Sequence, residues 1–427
     1  MRSNLRTDGA GRKAWRCWPV RLFTAGLLVA APVAHAEDAR LGMTVDGLLV
    51  QATRLSPEIA ARALDAAAAE AGARAAGSLP DPTLRLTQDE IDVLSGQRRP
   101  KQIYAIEQDF PLWGKLGLKA AAGRAQADIA RAEGRAVEAE LAEQVKITFA
   151  QYWVAHRAIT VLGEVLGIDR GIIETARSRY AQGSGSQADV LRASAALTRH
   201  QAEIARFVAQ KRAAQGVLNV LLQRDPAATL APPRQLRPLP RAAALAPAEL
   251  IVRANNPRVA AAKSRIAAAD ANRQLARQEW YPNVTLTVGA IDRNGYGPNG
   301  YMGSVALRVP LQWGLHNAQE SQAQAELRAA ETRRDAAVQD VAREIAQATA
   351  SLAGARETER LTRDQLLPQL DAAVRSAVAA YGNGRTELTP VLDAARELSE
   401  AKLALLAAQL DGQRQLAAIE RLIGGAL

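Results

Sequence analysis

Two short stretches of the chain alternate apolar and polar residues with a period of two. In residues 83 to 110, Leu84 and Leu86 stand against Thr83, Arg85 and Thr87, and Tyr104, Ile106 and Phe110 stand against Glu107 and Asp109. Residues 284 to 309 repeat the pattern, with Val284, Leu286 and Val288 on one strand and Val305, Leu307 and Val309 on another. Each stretch predicts a β-hairpin closed by a loop rich in Gly, Pro, Asn or Ser. Elsewhere the alternation vanishes. Proline is absent from 112 to 225, from 311 to 367 and from 391 to 427, and these runs are rich in Ala, Arg, Glu, Gln and Leu. That composition favours long helices. A helix from Leu116 to Tyr180 would extend roughly 100 Å, and a rod of that length needs a neighbour along it, as in a coiled coil.

The order helix, hairpin, two long helices occurs twice. "SPEIAA" at 56 to 61 aligns with "NPRVAA" at 256 to 261, Pro82 with Pro282, and "FPLWGK" at 110 to 115 with "VPLQWGL" at 309 to 315 after a one-residue insertion. Tyr180, Gly183, Val190, Leu191 and Ala193 align with Tyr381, Gly384, Val391, Leu392 and Ala394. The chain divides into a first repeat over 37–225, a Pro-rich linker over 226–247 and a second repeat over 248–427. Helix tips fall near 181–187 and 382–388, where Gly183 and Gly384 permit the reversal. Pro368 stands where the first half has Gly167, so both long helices are expected to kink there.

Composition changes the picture at the N-terminus. Arg2, Arg6, Arg12, Lys13, Arg16 and Arg21 precede a 13-residue apolar run and the small-residue site Ala34-His35-Ala36. Residues 1–36 read as a cleaved signal peptide. Removing its six bases and one acid lowers the formal charge from +10 to about +5, which weakens a nucleic-acid reading. Cys17 is the only cysteine. It precedes the apolar core, where no lipid anchor is expected. No later stretch is apolar enough for a transmembrane helix, but a spanning β-strand needs only about ten alternating residues.

Within a bilayer every backbone polar group must be paired, and four strands cannot close a barrel. Strands in a membrane would have to be shared between copies, and three copies give twelve. Eight of the 14 aromatic residues outside the leader lie in or beside the hairpins. Among them Phe110, Trp113, Tyr281 and Trp313 are placed for an interfacial belt.

Leader, duplicated halves, "FPLWGK" and "VPLQWG" at strand exits and the Y-x-x-G breaks together resemble the TolC family of outer-membrane efflux proteins, over essentially the whole mature chain. "LPDPTL" and "QDFPLWGK" are most similar to its heavy-metal (cation) efflux branch. The resemblance implies a mainly α fold with a small β part: a homotrimer in which long coiled-coil helices form a periplasmic α-barrel and four strands per chain form a 12-stranded transmembrane β-barrel. It implies an outer-membrane location facing lipid, a periplasmic adaptor contacting the tips at Tyr180, Gly183, Tyr381 and Gly384, and an inner-membrane resistance-nodulation-division pump. Drug export and type I secretion use the same scaffold. A soluble periplasmic coiled-coil adaptor is the alternative class.

At the second tip the family's aperture has two acids flanking Val-Leu; here Pro390 replaces the first and only Asp393 matches, while the first tip keeps Asp189 and carries Arg192. Asp393 and Asp189 are the candidate gate residues. Asp89, Glu90, Asp92, Glu107 and Asp109 could line a pore and favour cations, and Arg98, Arg99 and Lys101 fall in the outer loop. No catalytic constellation, cofactor motif or metal-ligand spacing is present: His156, His200 and His316 stand alone in sequence. The expectation is a non-enzymatic protein without cofactors.

Overall fold

A computed structural model describes residues 41–89, 101–240, 255–295 and 297–425. The leader, Glu90 to Pro100 of the first loop with Asp92, Arg98 and Arg99, and the end of the linker lie outside them. The first half comprises α1 (Val45–Leu55), α2 (Pro57–Ala76), β1 (Thr83–Asp89), β2 (Lys101–Phe110), α3 (Lys115–Ala181) and α4 (Gln187–Leu221). The second comprises α5 (Pro257–Gln278), β3 (Asn283–Asp292), β4 (Gly300–Arg308), α6 (Trp313–Leu361), a π-turn (Thr362–Leu366), α7 (Leu367–Gly382) and α8 (Leu388–Ile423).

Helix starts follow sequence. Pro57 and Pro257 occupy first turns behind Ser56 and Asn256, whose side chains accept from Ile59 N and from Arg258 and Val259 N. The π-turn lies just before Pro368, and Leu367 N reaches back to Thr362 O. The two halves differ here: α3 stays α-helical through Gly167, without the π-turn that precedes Pro368. Glycine keeps the N–H that proline lacks, so the hydrogen-bond ladder continues.

α3 packs along α4 and along α8, α8 packs in turn on α6 and α7, α5 packs on α6, and α2 and α5 lie against α3. Small residues allow close approach. A Cβ on Gly123 would stand 2.7 Å from Ala73 Cα, and one on Gly77 2.9 Å from Ala120 Cβ. One core gathers around Tyr152, with Leu48, Phe149, Leu218 and Leu230. Another joins Val259 of α5, Val341, Ile345 and Leu352 of α6, and Ile419 and Leu422 of α8.

The described part of the linker is an irregular strap that touches α3, α8 and α6. Arg237 donates to both oxygens of buried Glu420 at 2.8 Å, and Lys146 of α3 reaches the same carboxylate at 2.9 Å. These pairings span 183 and 274 residues of sequence.

Candidate functional site

The two hairpins make a single antiparallel sheet in the order β1-β2-β3-β4. Register decides its chemistry. Leu84 pairs with Ile106 and Leu86 with Tyr104; Ile106 then meets Val288, and Phe110 meets Val284; Val284 meets Leu307 and Leu286 meets Val305. Because successive side chains alternate faces, these pairings collect every residue just named on one face. Leu84, Leu86, Ile106, Val288, Val305 and Leu307 all stand largely exposed on the single chain. Ten residues of strand, at about 3.3 Å each and tilted by about 40°, cover about 25 Å, the apolar height of an outer-membrane barrel.

The opposite face carries Arg85, Thr87, Glu107, Asp109, Thr285 and Thr287. Arg85 and Glu107 form an ion pair at 2.8 Å, and Thr285 donates to Asp109. Two of the candidate pore acids are therefore engaged by neighbours on the sheet. Among the described residues, β1 and β4 are its free edges.

Where the sheet meets the helices, the aromatic residues cluster as the sequence indicates. Trp113 stacks on Tyr281 at 5.2 Å and donates to Pro282 O at 3.0 Å, while Trp313 lies edge-on to Trp280 at 6.2 Å. Phe110, half-buried, ends β2 on the apolar face. Trp113 and Gly114 both have positive φ, at 64° and 75°, so the chain turns sharply out of the strand.

Sequence reasoning missed Lys115. It is 2% exposed, and its ammonium donates to Asn283 Oδ1 at 2.8 Å, Tyr281 O at 3.0 Å and Glu279 Oε2 at 3.3 Å. Its three donors are thereby satisfied, as a buried cation requires. The signal available was a lone basic residue directly after the paired Trp-Gly.

At the other end of α3 lie the tips. Gly183 and Gly384, with φ of 72° and 69°, close equivalent turns: Gly183 N donates to Tyr180 O and Gly384 N to Tyr381 O, both at 3.0 Å. The two tips differ around those turns. Tyr180 is 51% exposed, whereas Tyr381 is 2% exposed and centres a core of Ile172, Ile173, Ala176, Leu388, Val391 and Ala395. The Arg179 guanidinium lies 4.5 Å above the Tyr381 ring and donates to Tyr381 O at 2.7 Å and Ser184 O at 3.0 Å. This cation–π contact ties one tip to the other. Burial, reinforced by the Asp189 carboxylate, raises the Tyr381 phenol above its ordinary range, against the opposing effect of Arg179.

Asp189 and Asp393 occupy different settings. Asp189 is in the first turn of α4, where its N–H donates to Ser186 Oγ at 3.1 Å and its carboxylate faces Ser186 N at 3.5 Å, a capping box. Asp393 is exposed on α8 beyond its first turn.

The histidines also separate. His200 of α4 is buried and lies 2.6 Å from Asp169 of α3. That hydrogen bond raises the imidazole above the ordinary 6.5, against the burial that lowers it. A raised folded-state value contributes stability that is complete below about pH 6.5 and is lost as pH rises through the folded value. His200→Gln should therefore flatten this part of the pH–stability curve, measured by denaturant unfolding, and cost about 2 kcal/mol below pH 6. An unaltered curve would remove His200 from the account. Among the described residues, no three His, Cys, Asp or Glu side chains converge as a metal-holding group, and no helix is long and apolar enough to cross a membrane.

Comparison with known proteins places this geometry. The chain is similar to the nickel-cobalt-cadmium resistance protein NccC of Alcaligenes xylosoxydans xylosoxydans, 24% identical over 280 residues, which cover 62% of this chain and 60% of that one. It is similar to the cobalt-zinc-cadmium resistance protein CzcC of Cupriavidus metallidurans, 21% identical over 395 residues and 91% of each chain. It is also similar to the pyoverdine export outer membrane protein OpmQ of Pseudomonas putida, 27% identical over 433 residues, 94% of this chain and 90% of that one.

Among solved structures, CusC superposes with a TM-score of 0.79 at 19% identity, over 90% of this chain and 92% of that one. The outer-membrane channel OprN superposes with 0.78 at 20% identity, over 90% of each. The mainly helical fold with its four-stranded sheet is the fold of those channels. The outer membrane efflux protein model matches residues 48–222 and again 251–425, one match in each half, and the chain belongs to that family.

Proposed function

We propose that three copies of this chain form a passive export duct. Four strands from each make a 12-stranded outer-membrane barrel, and the helices continue it as a periplasmic tunnel. The observation that carries this reading is the sheet, whose apolar face is exposed and whose two edges are open. Such a sheet is unstable in water and in lipid alone, because open edges leave backbone groups unpaired. Ring closure removes both defects. The residues up to Ala36 act as the export signal, and Phe110, Trp113, Tyr281 and Trp313 sit at the periplasmic face of the outer membrane.

At the far end, six tips surround one opening. There Tyr180, Gly183 and Gly384 mark the surface offered to a periplasmic adaptor, itself carried by an inner-membrane resistance-nodulation-division pump; Tyr381, expected from the sequence to share that surface, is buried and supports it from the core beneath. Asp393, exposed on α8, would meet its two copies about the axis and supply the charge that opens or closes the aperture. Asp189 contributes mainly by holding the first tip in shape. The protein carries out no bond-making chemistry and holds no cofactor.

The cargo is heavy-metal cations, supported by the likeness to NccC and CzcC. The expected result is that deleting this chain lowers tolerance to cobalt, zinc, nickel or cadmium, and that re-expression restores it. A second reading, export of an organic molecule, is favoured by the likeness to OpmQ. Unchanged metal tolerance together with loss of organic-compound export would select the second reading.

A further inference from the structure

We propose that the free β4 edge of one copy pairs with the free β1 edge of the next in a defined register, Val309 opposite Leu84 and Leu307 opposite Leu86, and that Leu315 of the first packs on Leu79 of the second. The inference rests on the trimeric reading above and adds to it the residues that meet.

The chain's own halves supply a template. Inside one chain the first half already joins the second: β2 pairs with β3, Phe110 opposite Val284 and Ile106 opposite Val288. In a ring where first and second halves alternate, the junction from a second half to the next first half occupies the same place in the wall. A head-to-tail interface of this kind closes a ring when its rotation allows. The aligned motifs give the translation. Phe110 becomes Val309 and Val284 becomes Leu84, so the internal register fixes the external one.

Two features of the sheet agree with it. Strand directions alternate from β1 to β4. With four strands per chain, β4 and the following β1 are antiparallel, as β2 and β3 are. The faces agree too. Leu307 is on the apolar face opposite Val284, and Leu86 is on the apolar face opposite Tyr104. The inferred register sets these two side chains together, whereas a slip of one residue would place a polar position in the apolar band.

The joint below the strands supplies an independent observation. Within the chain it is closed by the ion pair of Lys115 with Glu279 at 3.3 Å. Aligned in the other half, Lys115 is replaced by Leu315 and Glu279 by Leu79. Both members of the pair have changed, and to matching chemistry. Leu315 is 49% exposed and Leu79 51% exposed on the single chain. Brought together, they replace the ion pair with an apolar contact, next to Trp313 standing where Trp113 stands inside the chain. One juxtaposition is unfavourable. Arg308 falls opposite Arg85 on the polar face, where Arg85 already has Glu107 at 2.8 Å.

Cysteine crosslinking in outer membranes tests the register. In a Cys17→Ser background the only thiols are those introduced, so any bond between Leu86→Cys and Leu307→Cys in a spanning sheet joins two copies. Oxidation should give covalent dimers and trimers on heated, non-reducing gels, at least about tenfold more than the shifted pair Leu86→Cys with Val305→Cys, whose separation exceeds disulfide reach. Unoxidised samples run unheated report the oligomer itself. An oligomer that crosslinks at the shifted pair, or at neither, overturns the register and leaves the trimer standing; absence of any oligomer overturns the trimer. For the joint, Leu315→Glu should lower the heat resistance of the oligomer and Leu79→Lys should restore it. Failure of the second substitution to rescue the first would overturn the Leu79–Leu315 contact.

Discussion

Replacing Val288 with arginine should remove the protein from the outer membrane, while replacing its neighbour Thr287 with arginine should not. Val288 lies on the inner strand β3, with Ile106 opposite on β2 and Gly303 opposite on β4, and it is exposed on the apolar face. A lipid-facing arginine near the bilayer centre costs about 2–4 kcal/mol. Three copies in one barrel bring this to about 6–12 kcal/mol, comparable with the whole stability of an ordinary domain. Thr287 lies on the other face, opposite Glu107, where an arginine would meet water and a carboxylate. Fractionation of both variants measures the difference. Equal loss of the two, or normal insertion of Val288→Arg, would show that the exposed apolar face does not meet lipid.

The second large effect is expected at the tips, and it should be unequal. Tyr381→Ala removes a buried ring from the core of Ile172, Leu388 and Val391 and strips Arg179 of its stacking partner. Truncation of a large buried aromatic costs about 3–5 kcal/mol. Tyr180→Ala, at the matching place in the first half, removes an exposed side chain and should cost less than about 0.5 kcal/mol. Tyr381→Phe is a useful control. The Tyr381 hydroxyl is buried without a hydrogen-bond partner among the described residues, so its removal should be nearly neutral. Denaturant unfolding in detergent would compare the three, and protease cutting at 182–186 and 383–387 would report the local loosening. Similar costs for Tyr180→Ala and Tyr381→Ala would contradict the assigned asymmetry.

That asymmetry marks the limit of what the amino-acid sequence reveals. The alternation of Leu84, Leu86, Tyr104 and Ile106 is a local signal, and the strands follow from it. Gly183 and Gly384 sit where φ is positive, so the turns were legible as well. Tyr180 and Tyr381 are the same residue in the same motif, yet only the second faces the joint core of the two tips. No local pattern records which side of a long helix meets a partner some 200 residues away. Lys115, Arg179 and Glu420 were missed for the same reason, since their partners lie 164 to 274 residues distant in sequence. Gly167 and Pro368 occupy aligned positions but differ in local structure, because glycine retains the donor that proline removes.

Asp189 and Asp393 illustrate an intermediate case. Their unequal places in the two motifs were readable in sequence, and the capping box explains Asp189 in local terms. Asp393, by contrast, is simply exposed on the single chain, and the gate role proposed for it depends on copies of that carboxylate facing one another in the assembly.

The central claim is that the chain is one third of a closed wall in the outer membrane. Native mass determination of the protein extracted from that membrane in mild detergent tests it most directly. The account predicts a complex of three chains that resists SDS at room temperature and separates into single chains on heating. Recovery of a single chain from the soluble periplasm, with none in the outer membrane, would contradict it.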